Sequence, residues 1–159
     1  MQTGHRFRVT GLPPEPFRHL FGLSEQELAA HGARRYVVDE KPGFPDRIEM
    51  REVEPGATVL LLNHCHQPAD SPYRARHAIF VREGADEMYD RINEIPEVMR
   101  NRLLSLRGFD ADGMMRDADV VDGAQVETLI ERLFANPAIA YIQVHNAKQG
   151  CYSGRIDRV

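Results

Sequence analysis

Hydrophobic residues recur along the chain with two different periods, and the changes of period locate the predicted helices and strands. A period of three to four residues predicts a helix over residues 123–135, which Asn136 and Pro137 end. Its apolar stripe consists of Val126, Leu129, Ile130, Leu133 and Phe134. A second helix is predicted to begin at Ser24, because Glu27 three residues later completes a capping box. Shorter helical segments are predicted at residues 13–21, 86–92 and 96–99.

Strands are predicted where apolar residues alternate with polar ones or run continuously. These segments are residues 7–10, 34–39, 48–53, 58–66, 77–82, 103–109, 114–121, 139–145 and 151–156. The segment 58–66 begins with an apolar run on both faces, which is typical of a central, covered strand. The order of elements predicts one α+β domain over residues 1–159. We expect a mixed, largely antiparallel sheet with the helices packed mainly on one face.

Composition and charge narrow the class of protein. The chain has 159 residues and a formal charge of −4, which argues against general binding to nucleic acids or to anionic membranes. No apolar run is long enough to span a bilayer, and the first eleven residues contain no apolar core of a secretory signal. Cys65 and Cys151 are therefore expected to be reduced thiols in the cytoplasm.

Five segments spread along the chain resemble one protein family. They are FRVTGLPPEPFRHLF, DEKPGFPDRI, HQPADSPYRARHAIFVRE, LLSLRGFDADGMM and VHNAKQGCYSGRIDRV. Together they resemble an uncharacterised bacterial family that is classed as a domain of unknown function, and the resemblance covers essentially the whole chain. It implies a small, stand-alone cytosolic bacterial protein. It implies no activity, so candidate chemistry depends on residue types and spacing.

Histidines at predicted strand ends suggest a metal site. His64 and His66 should point to the same side of one strand, and His77 should lie near the ladder position of His66. With His145 from another strand end, such imidazoles suit Zn²⁺ or Fe²⁺ with an open coordination position. The predicted metal ligands are His66, His77 and His145. The alternative is that these imidazoles only form hydrogen bonds. A cupin site is discounted, because its glutamate and glycines are not at their places.

Cys151 and His145 are the candidate catalytic residues. An imidazole or a cation close to a thiol favours the nucleophilic thiolate, and the amides of Gly150 and Cys151 could stabilise an oxyanion. One short loop joins the two side chains, however, whereas catalytic Cys and His usually come from distant segments. A packed thiol beside a structural histidine is therefore the alternative.

Basic and polar side chains near these histidines suggest a site for a small anionic ligand. The candidate ligand-binding residues are Arg74, Arg76, His77, Asn146 and Lys148. Arg74 stands in a proline-rich loop and could hold a carboxylate or phosphate with two hydrogen bonds. The alternative is a solvated loop in which Asp70 pairs with an arginine. The aspartates of residues 110–122 lack the later ligands of a calcium loop and predict only solubility and capping.

Two classes of function are consistent with these patterns. One is a small-ligand enzyme or metalloprotein whose pocket at the strand ends is lined by His, Cys and Arg. The other is a non-catalytic binding or interaction protein, perhaps a homodimer, in which the same residues only bind a small anionic metabolite or support the structure. Neither class involves nucleic acid or a membrane.

Overall fold

The computed structural model describes residues 6–159. The expected lack of a secretory signal rests partly on the residues before Arg6, which lie outside this range. The strands are β1 (Phe7–Thr10), β2 (Arg34–Val37), β3 (Thr58–Gln67), β4 (Ala75–Arg82), β5 (Asp90–Ile92), β6 (Leu103–Phe109), β7 (Met115–Asp122), β8 (Tyr141–Asn146) and β9 (Tyr152–Arg158). The α-helices are α1 (Glu25–Ala30), α2 (Glu97–Arg100) and α3 (Val126–Phe134). Two 3₁₀ helices, Glu15–Leu20 and Gly123–Gln125, precede α1 and α3.

The strands form two antiparallel sheets, which confirms the predicted α+β class. The larger sheet has six strands in the order β5-β1-β9-β8-β6-β7, and the smaller has the order β2-β3-β4. The apolar stripe of α3 packs over β6 and β7, and together with Val144 and Ile156 it forms the core of the larger sheet. A second core joins the smaller sheet to α1 through Leu28, Leu60 and Ile79.

The capping box predicted at the start of α1 is confirmed. Ser24 Oγ accepts a hydrogen bond from the Glu27 amide at 3.1 Å, and the Glu27 carboxylate accepts one from the Ser24 amide at 3.0 Å. Both otherwise unsatisfied amides of the first turn are thereby paired. The predicted hairpin of β6 and β7 is also present, with Leu104 opposite Val121.

Two predicted elements are wrong. Residues 48–53 alternate like a strand but form a loop, in which Met50 has a positive φ of 58° and the Ile48 carbonyl accepts a hydrogen bond from the Tyr89 amide. The Asp46 and Val53 amides donate to the Arg51 and Phe44 carbonyls, so the segment folds back on itself instead of joining a ladder. Residues 86–92 do not form a helix; their last three residues are β5, which pairs with β1 at the sheet edge.

The loop around residues 38–57 lies where the two sheets meet. The Arg47 carbonyl accepts a hydrogen bond from Leu12 at 2.7 Å, next to the end of β1. Gly11 allows this close approach, because a Cβ atom there would stand 2.4 Å from the carbonyl oxygen of Ile48. The loop therefore holds the larger sheet against the smaller one.

The second half of β3 reaches beyond the smaller sheet to the larger one. β2 pairs with β3 only over residues 58–61, so the segment after Leu62 pairs with β4 alone. Its end meets β8, where the amide of Gln143 donates to the His66 carbonyl and Gln67 donates to the Tyr141 hydroxyl. This contact is where the candidate site lies. Within the described residues, no helix has both the length and the apolar character needed to cross a membrane.

The ion pair between Arg35 and Glu83 at the smaller sheet should make the stability of the fold depend on pH. Hydrogen bonds from Arg35 lower the pKa of Glu83 to about 2. The ionised Glu83 therefore stabilises the fold fully at pH values above the ordinary pKa of a glutamate. This contribution is lost as the pH falls towards 2. We expect Glu83→Gln to cost about 2 kcal/mol at pH 7 and to flatten the loss of stability between pH 4.5 and 2. Urea denaturation between pH 7 and pH 2 measures both effects.

The matched control is Glu25→Gln. Glu25 also contacts Arg35, but 71% of its side chain is exposed, so its removal should change stability by less than about 0.5 kcal/mol. Equal losses in the two variants would contradict the assignment to Glu83.

Candidate functional site

The candidate site lies where the end of β3 crosses the face of β8 and β9. We call it the histidine face and define it by His66, Arg107, Gln143, His145 and Tyr152. The rings of His66 and Tyr152 stack at 5.4 Å with an interplanar angle of 7°. The ring of His145 meets that of His66 edge-on at 4.9 Å. Two histidines from strands that are distant in the sequence are thereby brought into contact. His66 on β3 and Gln143 on β8, whose side chains also meet here, are 77 residues apart.

Two hydrogen bonds fix the tautomer of His66. The side-chain amide nitrogen of Gln143 donates to the His66 carbonyl at 2.8 Å, which turns the amide oxygen towards the imidazole. His66 Nδ1 donates to that oxygen at 3.0 Å. Because Nδ1 carries the hydrogen, Nε2 of the neutral ring keeps a lone pair and can accept a hydrogen bond.

His145 has the same tautomer for a different reason. Its Nδ1 donates to the carbonyl oxygen of Gly150 at 3.0 Å, across the turn that joins β8 to β9. Its Nε2 is buried and has no hydrogen-bond partner in the described part of the chain. A buried polar atom without a partner is costly, so this nitrogen is a candidate acceptor for a ligand.

Burial keeps these imidazoles neutral. It lowers the pKa of His145 to about 3, and the charge of Arg107 lowers it further. Burial also lowers the pKa of His66, against the opposing effect of the Gln143 hydrogen bond, and it lowers that of His64 to about 4. At neutral pH the histidine face therefore presents lone pairs rather than imidazolium charges.

Arg107 is the residue of the histidine face that the sequence analysis did not identify. It is half-buried, its Nε donates to Ser105 Oγ at 3.3 Å, and it makes no ion pair with any carboxylate within residues 6–159. Leu104 and Leu106 are fully buried, so Arg107 projects from the opposite face of β6. A lone arginine alternating with core residues in a central strand was the signal that could have identified it.

The predicted metal ligands are only partly brought together. His66 and His145 are in contact, but His77 pairs across the sheet with His64 rather than lying at the position of His66. A β-bulge between Cys65 and Gln67 shifts the register there. His77 Nδ1 donates to the Ala78 carbonyl at 3.1 Å. Among residues 6–159, no three side chains of His, Cys, Asp or Glu are arranged to hold a metal ion.

The predicted catalytic pair also has a different geometry. Cys151 Sγ accepts hydrogen bonds from Arg47 at 3.1 Å and from Asn146 at 3.5 Å, whereas His145 bonds to the backbone of Gly150. His145 stands opposite Tyr152 in the β8–β9 ladder, so Cys151 and Asn146 belong to the other side of the sheet. Thiol and imidazole are neighbours in sequence but do not form a hydrogen bond.

The predicted anion-binding residues are spread over three places. Arg74 is exposed and donates to the carbonyl of Pro68, while Arg76 donates to Asn63. Asn146 and Lys148 lie at a different cleft of about 310 Å³. This cleft is lined by Asn101, Arg102, Leu103, Asn146, Lys148 and Gln149. The structure does not bring the five residues together into one site.

The fold and the histidine face define an α+β protein with two antiparallel sheets and a basic, imidazole-rich contact between them. Residues 43–158 match the family described as "Protein of unknown function (DUF1203)", and the chain belongs to this family. No curated protein and no solved structure matches the chain.

The neutral state of His145 predicts how stability responds to acid. Its pKa lies below that of an unfolded histidine, so the unfolded chain binds the extra proton and stability falls as the pH drops from 6.5 towards 3. We expect His145→Phe to reduce this pH slope by about 1 kcal/mol per pH unit. Urea denaturation between pH 6.5 and 4 measures the slope.

The surface variant His31→Phe serves as the control, because the side chain of His31 is exposed whereas that of His145 is buried. In the wild-type protein, ¹⁵N-correlated NMR should show the hydrogen of His145 on Nδ1 throughout this range. An imidazolium signal from His145 at pH 6 would contradict the assignment.

Proposed function

We propose that the protein binds a small oxyanion that also carries a hydroxyl hydrogen, at the histidine face. Hydroxycarboxylates and hydrogenphosphate have this chemistry. The observation that carries the proposal is Arg107, a half-buried guanidinium with no carboxylate partner in residues 6–159, close to two neutral imidazoles. A cation in this position is complementary to an anionic ligand.

The donors and acceptors of the histidine face specify the ligand further. Arg107 uses only its Nε–H within the described protein, so its terminal nitrogens can donate in parallel to two oxygens of a carboxylate or phosphate. Nε2 of His145 has a lone pair and no partner, so it can accept a hydrogen from a ligand hydroxyl. An anion without such a hydrogen would leave this acceptor unsatisfied.

Binding is favoured over catalysis by the state of the imidazoles. An efficient general base has a pKa near the operating pH, whereas burial lowers the pKa of His145 to about 3. Its lone pair is therefore a weak base but a permanent hydrogen-bond acceptor. The thiol of Cys151, the other candidate catalytic group, bonds to Arg47 and Asn146 instead.

A bound metal is not part of this proposal. The charge of Arg107 acts on both His66 and His145 and disfavours a further cation there. In this proposal the protein works in the bacterial cytoplasm, where its two free cysteines stay reduced and small anionic metabolites are abundant. The net charge of −4 is unsuited to nucleic acid, so the ligand is a small molecule.

Isothermal titration calorimetry at pH 7.5 with glycolate, inorganic phosphate and acetate tests the proposal. Glycolate and hydrogenphosphate supply a hydroxyl hydrogen, whereas acetate does not, so acetate should bind at least about tenfold more weakly than glycolate. Arg107→Gln should weaken both favoured anions by about tenfold or more. Which of the two binds more tightly distinguishes a carboxylate ligand from a phosphate ligand.

Arg132→Gln is the matched control, since Arg132 is an exposed arginine of α3 that pairs with Asp119 of β7. It should bind both anions like the wild-type protein. Unchanged binding in Arg107→Gln would refute the site, and equal binding of acetate and glycolate would refute the need for a hydroxyl. Stoichiometric binding of Zn²⁺ that is lost in His66→Ala would favour a metalloprotein instead.

A further inference from the structure

A second acceptor lies beside His145 on the histidine face. His66 Nδ1 donates to the side-chain oxygen of Gln143, so Nε2 of His66 keeps a lone pair. This nitrogen makes no hydrogen bond to any group within residues 6–159, and the side chain of His66 is only partly buried. A ligand can therefore reach it from solvent. Together with Nε2 of His145, it gives the face two imidazole acceptors without a partner in the described residues.

The two acceptors are close enough to bind one small ligand. The ring centroids of His66 and His145 are 4.9 Å apart, and the rings meet edge-on at an interplanar angle of 80°. Hydroxyl oxygens on adjacent carbon atoms lie about 3 Å apart, and each hydrogen bond to a ring nitrogen spans about a further 3 Å. A ligand with two adjacent hydroxyl groups can therefore donate one hydrogen to each imidazole.

The ladder of β6 and β8 places the donors of the site beside these acceptors. Arg107 stands opposite Gln143, and Ser105 stands opposite His145. Residues that are directly opposite in an antiparallel ladder project from the same face of the sheet. Ser105 Oγ accepts the Nε–H of Arg107 at 3.3 Å, so its own hydrogen remains available to a ligand oxygen. A ligand hydroxyl can thus accept a hydrogen from Ser105 and donate its own to His145.

We propose that the ligand of the histidine face is a small 2,3-dihydroxycarboxylate, whose carboxylate binds Arg107 and whose two hydroxyls donate to His145 and His66. This inference rests on the anion site of the proposed function and narrows its ligand. The carboxylate pairs with the guanidinium, and the diol supplies a hydrogen to each acceptor. An ammonium group also offers several hydrogens, but the charge of Arg107 acts on both imidazoles and disfavours a second cation there.

Isothermal titration calorimetry at pH 7.5 compares glycerate with lactate and 3-fluorolactate of the same configuration. These acids differ only at the third carbon, where glycerate has a hydroxyl that can donate and the other two have hydrogen or fluorine. In one configuration, glycerate should bind about threefold to tenfold more tightly than either analogue, which is the contribution of one typical hydrogen bond. Equal binding of all three acids in both configurations would overturn the diol and leave the anion site in place. No binding of any of them would refute the anion site, and the diol with it.

The variant His66→Phe assigns the second hydroxyl to its acceptor. Phenylalanine removes the lone pair but keeps an aromatic ring to stack on Tyr152. The ratio of glycerate affinity to lactate affinity should fall to about one, and this ratio is insensitive to a general loss of affinity. His64→Phe is the matched control, because His64 belongs to the same strand but its ring packs against Phe17. It should keep the wild-type ratio. A preference for glycerate that persists in His66→Phe would overturn the assignment to His66.

The tautomer of His66 is measured directly by ¹⁵N-correlated NMR of the wild-type protein at pH 7.5. The hydrogen should lie on Nδ1, where the Gln143 oxygen holds it. The Nε2 resonance of His66 should move upfield on addition of glycerate but not of lactate, because a ring nitrogen that accepts a hydrogen bond shifts in that direction. A hydrogen on Nε2 in the free protein, or equal shifts with both acids, would overturn the proposal.

Discussion

The burial of Arg47 is the constraint on which the connection between the two sheets depends. Its guanidinium bonds to its own loop at Pro45 and to the start of β9 at Tyr152 and Cys151, while its backbone carbonyl bonds to Leu12 after β1. One residue therefore connects two strands of the larger sheet to the loop that precedes β3. Removing any of these acceptors would leave a buried charge less satisfied, which is among the most destabilising changes a protein can undergo.

This constraint also shapes the histidine face. The bond from Arg47 to the Tyr152 carbonyl fixes the backbone at the first residue of β9. The Tyr152 ring projects from that point to stack on His66 and to meet His145 edge-on. The position of the imidazoles consequently depends on a side chain that lies on the other side of the sheet. Stability of the fold and geometry of the site are thus coupled through a few backbone atoms.

Among the elements that the sequence predicted correctly, the most detailed predictions are those decided by local interactions. The stripe of α3 and the cap at Ser24 need only neighbours within one or two turns, so their pattern is sufficient. The loop at 48–53 has the alternation of a strand, yet its backbone hydrogen bonds fold it back onto Phe44 and Asp46, and one more comes from Tyr89. His77 pairs with His64 because the ladder of β3 and β4 runs without a shift from Val59 to Cys65, and no residue type announces this register. The choice of hydrogen-bond partners, rather than propensity, decided these cases.

The candidate site was predictable in its strands but not in its partners. His66 and His145 are in contact, and the sequence pattern correctly placed both near strand ends. Their environment differs from that of the predicted metal site, because Arg107, from a third strand, adds a positive charge. No nearby carboxylate in residues 6–159 neutralises this charge.

Side-chain alternation in β8 and β9 divides the polar residues of the turn into two groups. His145 faces His66, whereas Asn146 faces Cys151 and Arg47. Cys151 and His145 are close in the sequence but therefore lie in two different environments. One has neutral imidazoles beside a cation, and the other has a thiol beside a buried cation. In both, an arginine makes no hydrogen bond to a carboxylate within residues 6–159, so its charge is the strongest electrostatic influence on the neighbouring polar side chains.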